Sequence, residues 1–475
     1  MTNWLPDLSS GTGPLYLRLA DRIEADIGEG VLAGGAKLPP QRDLAYDIGV
    51  TVGTVGRAYA LLRERGLVSG EVGRGTYVRD RDETAVVGPV ATGTPPLDGI
   101  SGTRLLDPPT GKLRFDSTAA PDIGQTGTIG TIVAEILRDH PDEVSSYTRR
   151  FPDHWFVGGA RWLARNGFEP APRTVVPTLG AHAAIVSVIA AMTSPGDSIV
   201  FENLTYSQVA RSAGLIGRRT VLVGSDDDGM RPDDFEHVCA QRHPRMAFLM
   251  PTAQNPTLAN MPLARRREIA EIARRHNVWL IEDDLYGALS DDPTPLVASF
   301  APERTFLIGG LSKSVAAGVR GGWVACPTHH AQRVRVAHKM VTGGMPFLLA
   351  ELCARLVVSG QAGDIRARCI EENNARLAIA RAALARFEPV SRPNIPFLWL
   401  ALPEPWLSGT FKKAAFEEGV LIDDEDEFKA GRTGQALHRV RIGVSAVRNR
   451  DDVTTGVEAI RRLLEGGRAG YDSFG

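Results

Sequence analysis

The chain is 475 residues long, enough for two domains with separate cores. Hydrophobic residues make up 43% and charged residues 23%, which excludes a disordered or low-complexity chain. The net charge of −2 excludes bulk attraction to nucleic acid, so any DNA binding must come from a local patch. Four cysteines (Cys239, Cys326, Cys353, Cys369) without CxxC spacing predict buried thiols in a reducing compartment, with no zinc site and no disulfide framework. The N-terminal MTNWLPDLSSGTG lacks a basic segment ahead of an apolar run, and no apolar stretch approaches membrane-spanning length. A cytoplasmic protein without a metal site is expected.

Leu15, Leu19, Ile23 and Ile27 recur every four residues and predict a helix over 14–28 with that stripe inward. GEGVLAGGAKLPP breaks the pattern. A second helix is predicted over 41–48, with Leu44, Ala45 and Ile48 inward and Gly49 ending it in the left-handed conformation. Thr51 is placed to cap a third helix that runs through Val55, Ala58, Tyr59 and Leu62 to Arg65. Two short helices joined by a tight glycine turn form the helix-turn-helix pattern. LVSGEVGRGTYV adds two short β segments around glycines, the wing of a winged helix. Residues 51–80 carry five Lys/Arg against three Asp/Glu, whereas residues 13–50 carry four against six. The positive side therefore holds the third helix and the wing. A helical protein-interaction module is the alternative.

Nearly end to end, this region resembles the GntR family of bacterial DNA-binding domains, through LPPQRDLA, the GVT–TV–RAY segment and GRGTYV. The resemblance implies double-stranded operator DNA as partner, with Arg42, Thr51, Thr54, Arg57 and Arg74 as contacts. Gly75 would let the wing tip approach the DNA backbone. Val52 stands where many members carry arginine, and Gly53 and Gly56 leave few hydrogen-bonding side chains to read bases. The binding mode follows from the resemblance; the operator sequence does not.

Residues 81–112 are rich in Gly, Pro, Thr and Asp without periodicity and read as a flexible linker between domains spanning 13–80 and 113–466. Beyond it, short apolar runs at 175–179, 278–281 and 305–308 read as buried strands ending in polar turns, where α/β sheets bind ligands. The run 331–384 reads as helical. Asp283 and Tyr286 project from one turn; Lys313 and Arg320 follow another. Lys313 alone would be a solvated surface lysine. Together the four suit pyridoxal 5′-phosphate: a lysine for the Schiff base, a carboxylate for the pyridinium nitrogen, an arginine for the phosphate.

SKSVAAGVRGGW is similar to the SK-x(6)-R segment of fold-type I aminotransferases, EDDLYG to their D-x-x-Y, and MPTAQNPT to their N-P-T loop. The resemblance implies an α/β fold of the PLP-dependent transferase type, with a mainly parallel central sheet and a smaller C-terminal α+β part. It implies Lys313, Asp283 and Tyr286 as catalytic groups. Asn255 would face the cofactor's 3′ oxygen, across a cis bond to Pro256, and Tyr206 would stack on the ring. Arg320 and the backbone of Ala181 and His182 at a helix start would hold the phosphate. Tyr147 would reach the phosphate of the neighbouring subunit, which makes the unit a homodimer. Arg441 in HRVRIGVSA would grip an effector carboxylate; Arg439 is the fallback on the same strand face. Simple packing is the alternative for His182 and Tyr147, and a surface ion pair for either arginine. Two departures stand out: Leu204 replaces a usual proline, and Gly310 replaces a phosphate-binding Ser or Thr, with Ser312 as a partial substitute.

The two halves together resemble the MocR subfamily of GntR-type bacterial transcriptional regulators. That implies a head-to-tail homodimer sensing an amino acid, an amine or the cofactor itself through Schiff-base exchange at Lys313. The alternatives are an active aminotransferase with an accessory DNA-binding domain, and a plain DNA-binding protein whose large domain is empty.

Overall fold

Three helices, α1 (Leu15–Gly28), α2 (Gln41–Asp47) and α3 (Val52–Glu64), and an antiparallel ribbon of β1 (Val68–Glu71) and β2 (Gly75–Val78) form the N-terminal unit. In this computed structural model the described residues are 4–6, 8, 14–65, 67–71, 75–78, 109–432 and 436–474. The chain divides into two units, Met1–Gly99 and Ile100–Gly475. Of the predicted linker over 81–112, residues 81–108 lie outside the described residues.

The first unit is held by one small core. Leu19, Ala20 and Ile23 of α1 pack with Leu44 and Ala45 of α2 and with Val55, Ala58, Tyr59 and Leu62 of α3. The predicted stripe on α1 is shorter than its periodicity suggested. Leu15 is 45% exposed because the helix begins there, one turn before the fully buried Leu19, and Ile27 and Ile48 are half-buried. Gly49 takes φ +66° after α2, and the Thr51 hydroxyl accepts from the Thr54 N–H at 3.2 Å to cap α3. Gly53 and Gly56 sit inside α3 despite their low helix propensity. A Cβ at Gly56 would come within 3.3 Å of the Gln41 side chain, so the small residue matches the close passage of α2. The wing is tied to the rest by Leu38 N–H donating to Thr76 O at 2.8 Å.

The second unit is α/β. Seven strands form its central sheet: β3 (Val175–Thr178), β4 (Ser198–Glu202), β5 (Arg219–Val223), β6 (Met246–Leu249), β7 (Trp279–Asp283), β8 (Thr305–Gly310) and β9 (Gly322–Ala325). Their order is β3-β9-β8-β7-β6-β4-β5, parallel except for β9, which runs antiparallel to both neighbours. Runs such as MAFL and TFLIGG are buried throughout because both faces of the sheet are covered. A four-stranded antiparallel sheet follows in the order β10 (Val390–Ser391), β11 (Phe397–Ala401), β13 (Arg439–Gly443) and β12 (Asp423–Asp424). The helical run at 331–384 is three helices, Ala331–Thr342, Phe347–Val358 and Gln361–Ala383. Gly343, Gly344 and Gly360, all at positive φ, break it.

Candidate cofactor site

Parallel strands deliver their C-terminal ends to one side of the sheet, and the predicted residues collect there. At the end of β7 the run Glu282-Asp283-Asp284 sends three carboxylates to three destinations. Glu282 accepts the Val297 and Ala298 N–H groups at 3.0 and 2.8 Å, and Asp284 pairs with Arg165 at 2.5 Å. Only Asp283 faces the cleft. Burial pushes its carboxyl up to about 7, against the Leu285 N–H that donates to it and the nearby Lys313 charge. A buried carboxylate of this kind calls for a cationic partner.

Lys313 follows β8 in an irregular turn. Its Nζ donates to Thr118 Oγ1 at 3.0 Å, and Thr118 Oγ1 shares a 2.7 Å hydrogen bond with the Tyr286 hydroxyl. Tyr286 is buried, edge-on to Phe397 of β11 at 5.3 Å. The amine is thus held by a hydroxyl pair, with Asp283 nearby to offset its charge.

The opposite wall is the start of helix α4 (Gly180–Met192). Gly180, at φ +81°, turns the chain out of β3 so that the first N–H groups of α4 open into the cleft. Arg320, itself at φ +51°, places its guanidinium carbon 3.8 Å from where a Gly180 Cβ would stand. Gly322 makes this approach feasible, since a Cβ there would lie 2.6 Å from Gly180 C and 2.9 Å from Ala181 N. His182 faces the same wall, its ring T-shaped to Tyr206 at 5.8 Å and its Nε2 3.1 Å from Ser212 Oγ. Burial, then the Arg320 charge, lowers its pKa. Behind the helix start, His338 Nε2 accepts the Leu179 N–H at 3.1 Å; burial lowers this imidazole to about 4. Gly310 has a spatial reason: a Cβ there would stand 3.0 Å from the Gly321 carbonyl, too close for a serine without a shift of the Gly321 backbone. Ser312 lines the cleft.

Asn255 precedes a cis bond to Pro256, as the resemblance implies, and its Oδ1 accepts from Arg441 Nη1 at 2.8 Å. That leaves its Nδ2 as a donor toward the cleft. Arg441, on β13, is buried, with its guanidinium carbon 4.8 Å from the Phe428 ring centre. Its Nη2 donates to Asp423 Oδ2 at 2.5 Å and to Asp116 O at 3.2 Å. The fallback residue Arg439 does not line the cleft. Tyr147 does not line it either and is 91% exposed.

In the first unit, Arg42, Thr51 and Arg57 are exposed, Thr54 is half-buried, and Gly75 opens β2. Arg74 lies outside the described residues. Sequence reasoning missed Thr118, Asp116 and Asp423. Thr118 and Asp116 belong to LRFDSTAAPD, from which no site residue is chosen above, and Asp423 carries no motif.

Residues 160–460 match the family model described as aminotransferase class I and II, and residues 15–78 match the one described as bacterial regulatory proteins, gntR family. The chain belongs to the aminotransferase class I and II family. It carries a gntR-family domain in front, the MocR arrangement. The uncharacterized HTH-type transcriptional regulator YdeF of Bacillus subtilis (strain 168) is 29% identical over 98% of this chain and 97% of its own length. The probable rhizopine catabolism regulatory protein MocR of Rhizobium meliloti is 26% identical, over 71% of this chain and 70% of that protein. Among solved structures, the α-aminoadipate aminotransferase LysN of Thermus thermophilus, complexed with N-(5'-phosphopyridoxyl)-L-leucine, superposes with a TM-score of 0.68. It is 22% identical and covers 75% of this chain and 93% of its own.

The family's cofactor is pyridoxal 5′-phosphate, and the donor set fits it. A helix start with Arg320 and Ser312 suits a phosphate dianion, and the buried Asp283 carboxyl suits a protonated ring nitrogen. The Asn255 amide and the Tyr286 phenol suit the 3′ oxygen, and Lys313 supplies the amine.

Proposed function

We propose that this protein is a pyridoxal 5′-phosphate-dependent, DNA-binding transcriptional regulator, whose effector is an amine, an amino acid or the cofactor itself, exchanging at Lys313. The observation that carries this is one cleft lined by Lys313, Asp283, Tyr286, Asn255 and Arg320, in a chain that opens with a winged helix. When bound, the cofactor supplies an electrophilic aldehyde carbon and an electron-withdrawing ring. The protein does the rest. Arg320 and the α4 start bind the phosphate, Asp283 orients and charges the ring, and Thr118 holds the Lys313 Nζ in place. The Thr118–Tyr286 pair offers the proton path at that nitrogen. The exposed ring of Tyr147 is available to a second subunit, which supports a head-to-tail homodimer in which each site borrows one tyrosine. Arg42, Thr51, Thr54, Arg57, Arg74 and Gly75 form the DNA-contacting set, and residues 81–112 form the linker between domains 13–80 and 113–466. The protein works in the cytoplasm; no helix among the described residues is long and apolar enough to cross a membrane.

Ligand binding transmits a signal only if its free energy differs between two arrangements of the DNA-binding domains. The test is operator occupancy on the DNA flanking its own gene, with and without cofactor and with primary amines and amino acids. The occupancy midpoint is expected to move with cofactor or ligand. Rapid amino-group transfer with no specific DNA binding would favour the aminotransferase reading, which the intact Lys313–Asp283 arrangement supports.

A further inference from the structure

The arginine expected to grip a carboxylate in the cleft is already occupied. Arg441 and Asp423 face each other directly across the antiparallel pair of β13 and β12, and both side chains are buried, Asp423 completely. Their 2.5 Å contact sets a carboxylate against the guanidinium, and Arg441 lines the cleft. A guanidinium offers a carboxylate two forks, Nε with Nη2 along its side and Nη1 with Nη2 at its end. Both forks need Nη2. Here Nη2 already donates twice, to Asp423 Oδ2 and to Asp116 O, while Nη1 donates to Asn255 Oδ1. The Nε–H, buried and without a hydrogen-bond partner among the described residues, does not form a fork with the remaining Nη1 hydrogen. An arriving α-carboxylate would therefore meet a neutralised arginine and bring an unpaired negative charge into a buried place. The lining near Arg441 adds the carboxylates of Asp116 and Glu427 and the ring of Phe428, with Arg114 on Asp116 and Arg211 on Glu427.

We infer that this cleft selects primary amines lacking an α-carboxylate over the corresponding α-amino acids, because Asp423 occupies the arginine that would hold the carboxylate. The inference rests on the regulator reading above and narrows its effector. It departs from the role that sequence resemblance implied for Arg441.

The test uses the full-length, cofactor-loaded protein and pairs of ligands differing only in the carboxylate: 1,5-diaminopentane with lysine, 2-phenylethylamine with phenylalanine, ethylamine with alanine. Affinity is read from the visible absorbance of the bound cofactor, and operator occupancy is measured in the same samples. The amine of each responding pair is expected to bind at least tenfold more tightly. Asp423→Ala, which frees Nη2 and removes the charge, is expected to raise amino-acid affinity at least tenfold and leave the amines within threefold. If that variant does not fold, the parent comparison decides. Amino acids binding as tightly as the amines, or more tightly, in the parent would overturn the inference. So would silence from every ligand; in that case operator occupancy that still follows cofactor loading leaves the regulator reading standing.

Discussion

Gly322→Ala tests the phosphate wall without removing a polar side chain. The added Cβ would stand 2.6 Å from Gly180 C, 2.8 Å from Gly180 Cα and 2.9 Å from Ala181 N, all backbone atoms. Ordinary contact begins at 3.4 Å, so the start of β9 and the α4 start must part by about 0.8 Å (3.4 − 2.6). A charge-assisted N–H···O bond of about 2.8 Å stretched by that amount reaches about 3.6 Å, past hydrogen-bond range. Losing one such bond is worth ~1.5–3 kcal/mol, which is roughly a 10- to 150-fold weaker cofactor. Overpacking separately lowers fold stability by ~1–3 kcal/mol. Absorbance titration of cofactor-free protein gives the affinity, and urea unfolding gives the stability. Gly318→Ala is the control, since no described residue lies within 4 Å of a Cβ there. If Gly322→Ala binds cofactor within twofold of the parent, the phosphate does not sit on the Gly180–Arg320 wall.

Asp283 makes the cofactor-free protein pH-sensitive. Its carboxyl is pushed up to about 7 by burial, so between the ordinary carboxylate range and about pH 7 the folded state holds a proton that the unfolded chain releases. Stability conferred by this group therefore falls as pH rises through that window. Glu282 and Glu202, also raised to about 7, add to the same slope, so the difference between parent and Asp283→Asn isolates Asp283. The variant is expected to be the more stable cofactor-free protein at pH 8 and the weaker cofactor binder; parallel pH–stability curves would contradict this. Arg57→Ala should weaken operator binding and reduce the salt slope by about one, measured by titration across salt concentrations. An unchanged slope would remove Arg57 from the phosphate contacts. The four cysteines are buried, and burial raises Cys239 and Cys353 to about 12, Cys369 to about 11, and Cys326 further still. None should react with a thiol reagent before the protein unfolds.

The site's chemistry was legible wherever it is local in sequence. Lys313 and Arg320 ride one strand–turn–strand unit, and Asp283 and Tyr286 the end of one strand and the turn after it, so spacing along the chain identified each pair. The winged helix was legible for the same reason: capping by Thr51 and the turn at Gly49 are decided by neighbours within a few residues. Thr118 was not, because it reaches Lys313 across 195 positions of chain. Nor was Asp423. Its pairing with Arg441 depends on strand register, and a one-residue slip would turn the carboxylate to the other face. Leu15 and the breaks within 331–384 show a different limit: periodicity reports a face, and glycine at positive φ or a helix end decides how far that face extends.

Operator occupancy of the parent and of Lys313→Ala, both saturated with cofactor and titrated with a primary amine, tests the coupling most directly. The amine is expected to move the parent's DNA-binding midpoint and to leave the variant's unmoved. Equal movement in both proteins would mean that the Lys313 amine is not where the signal begins.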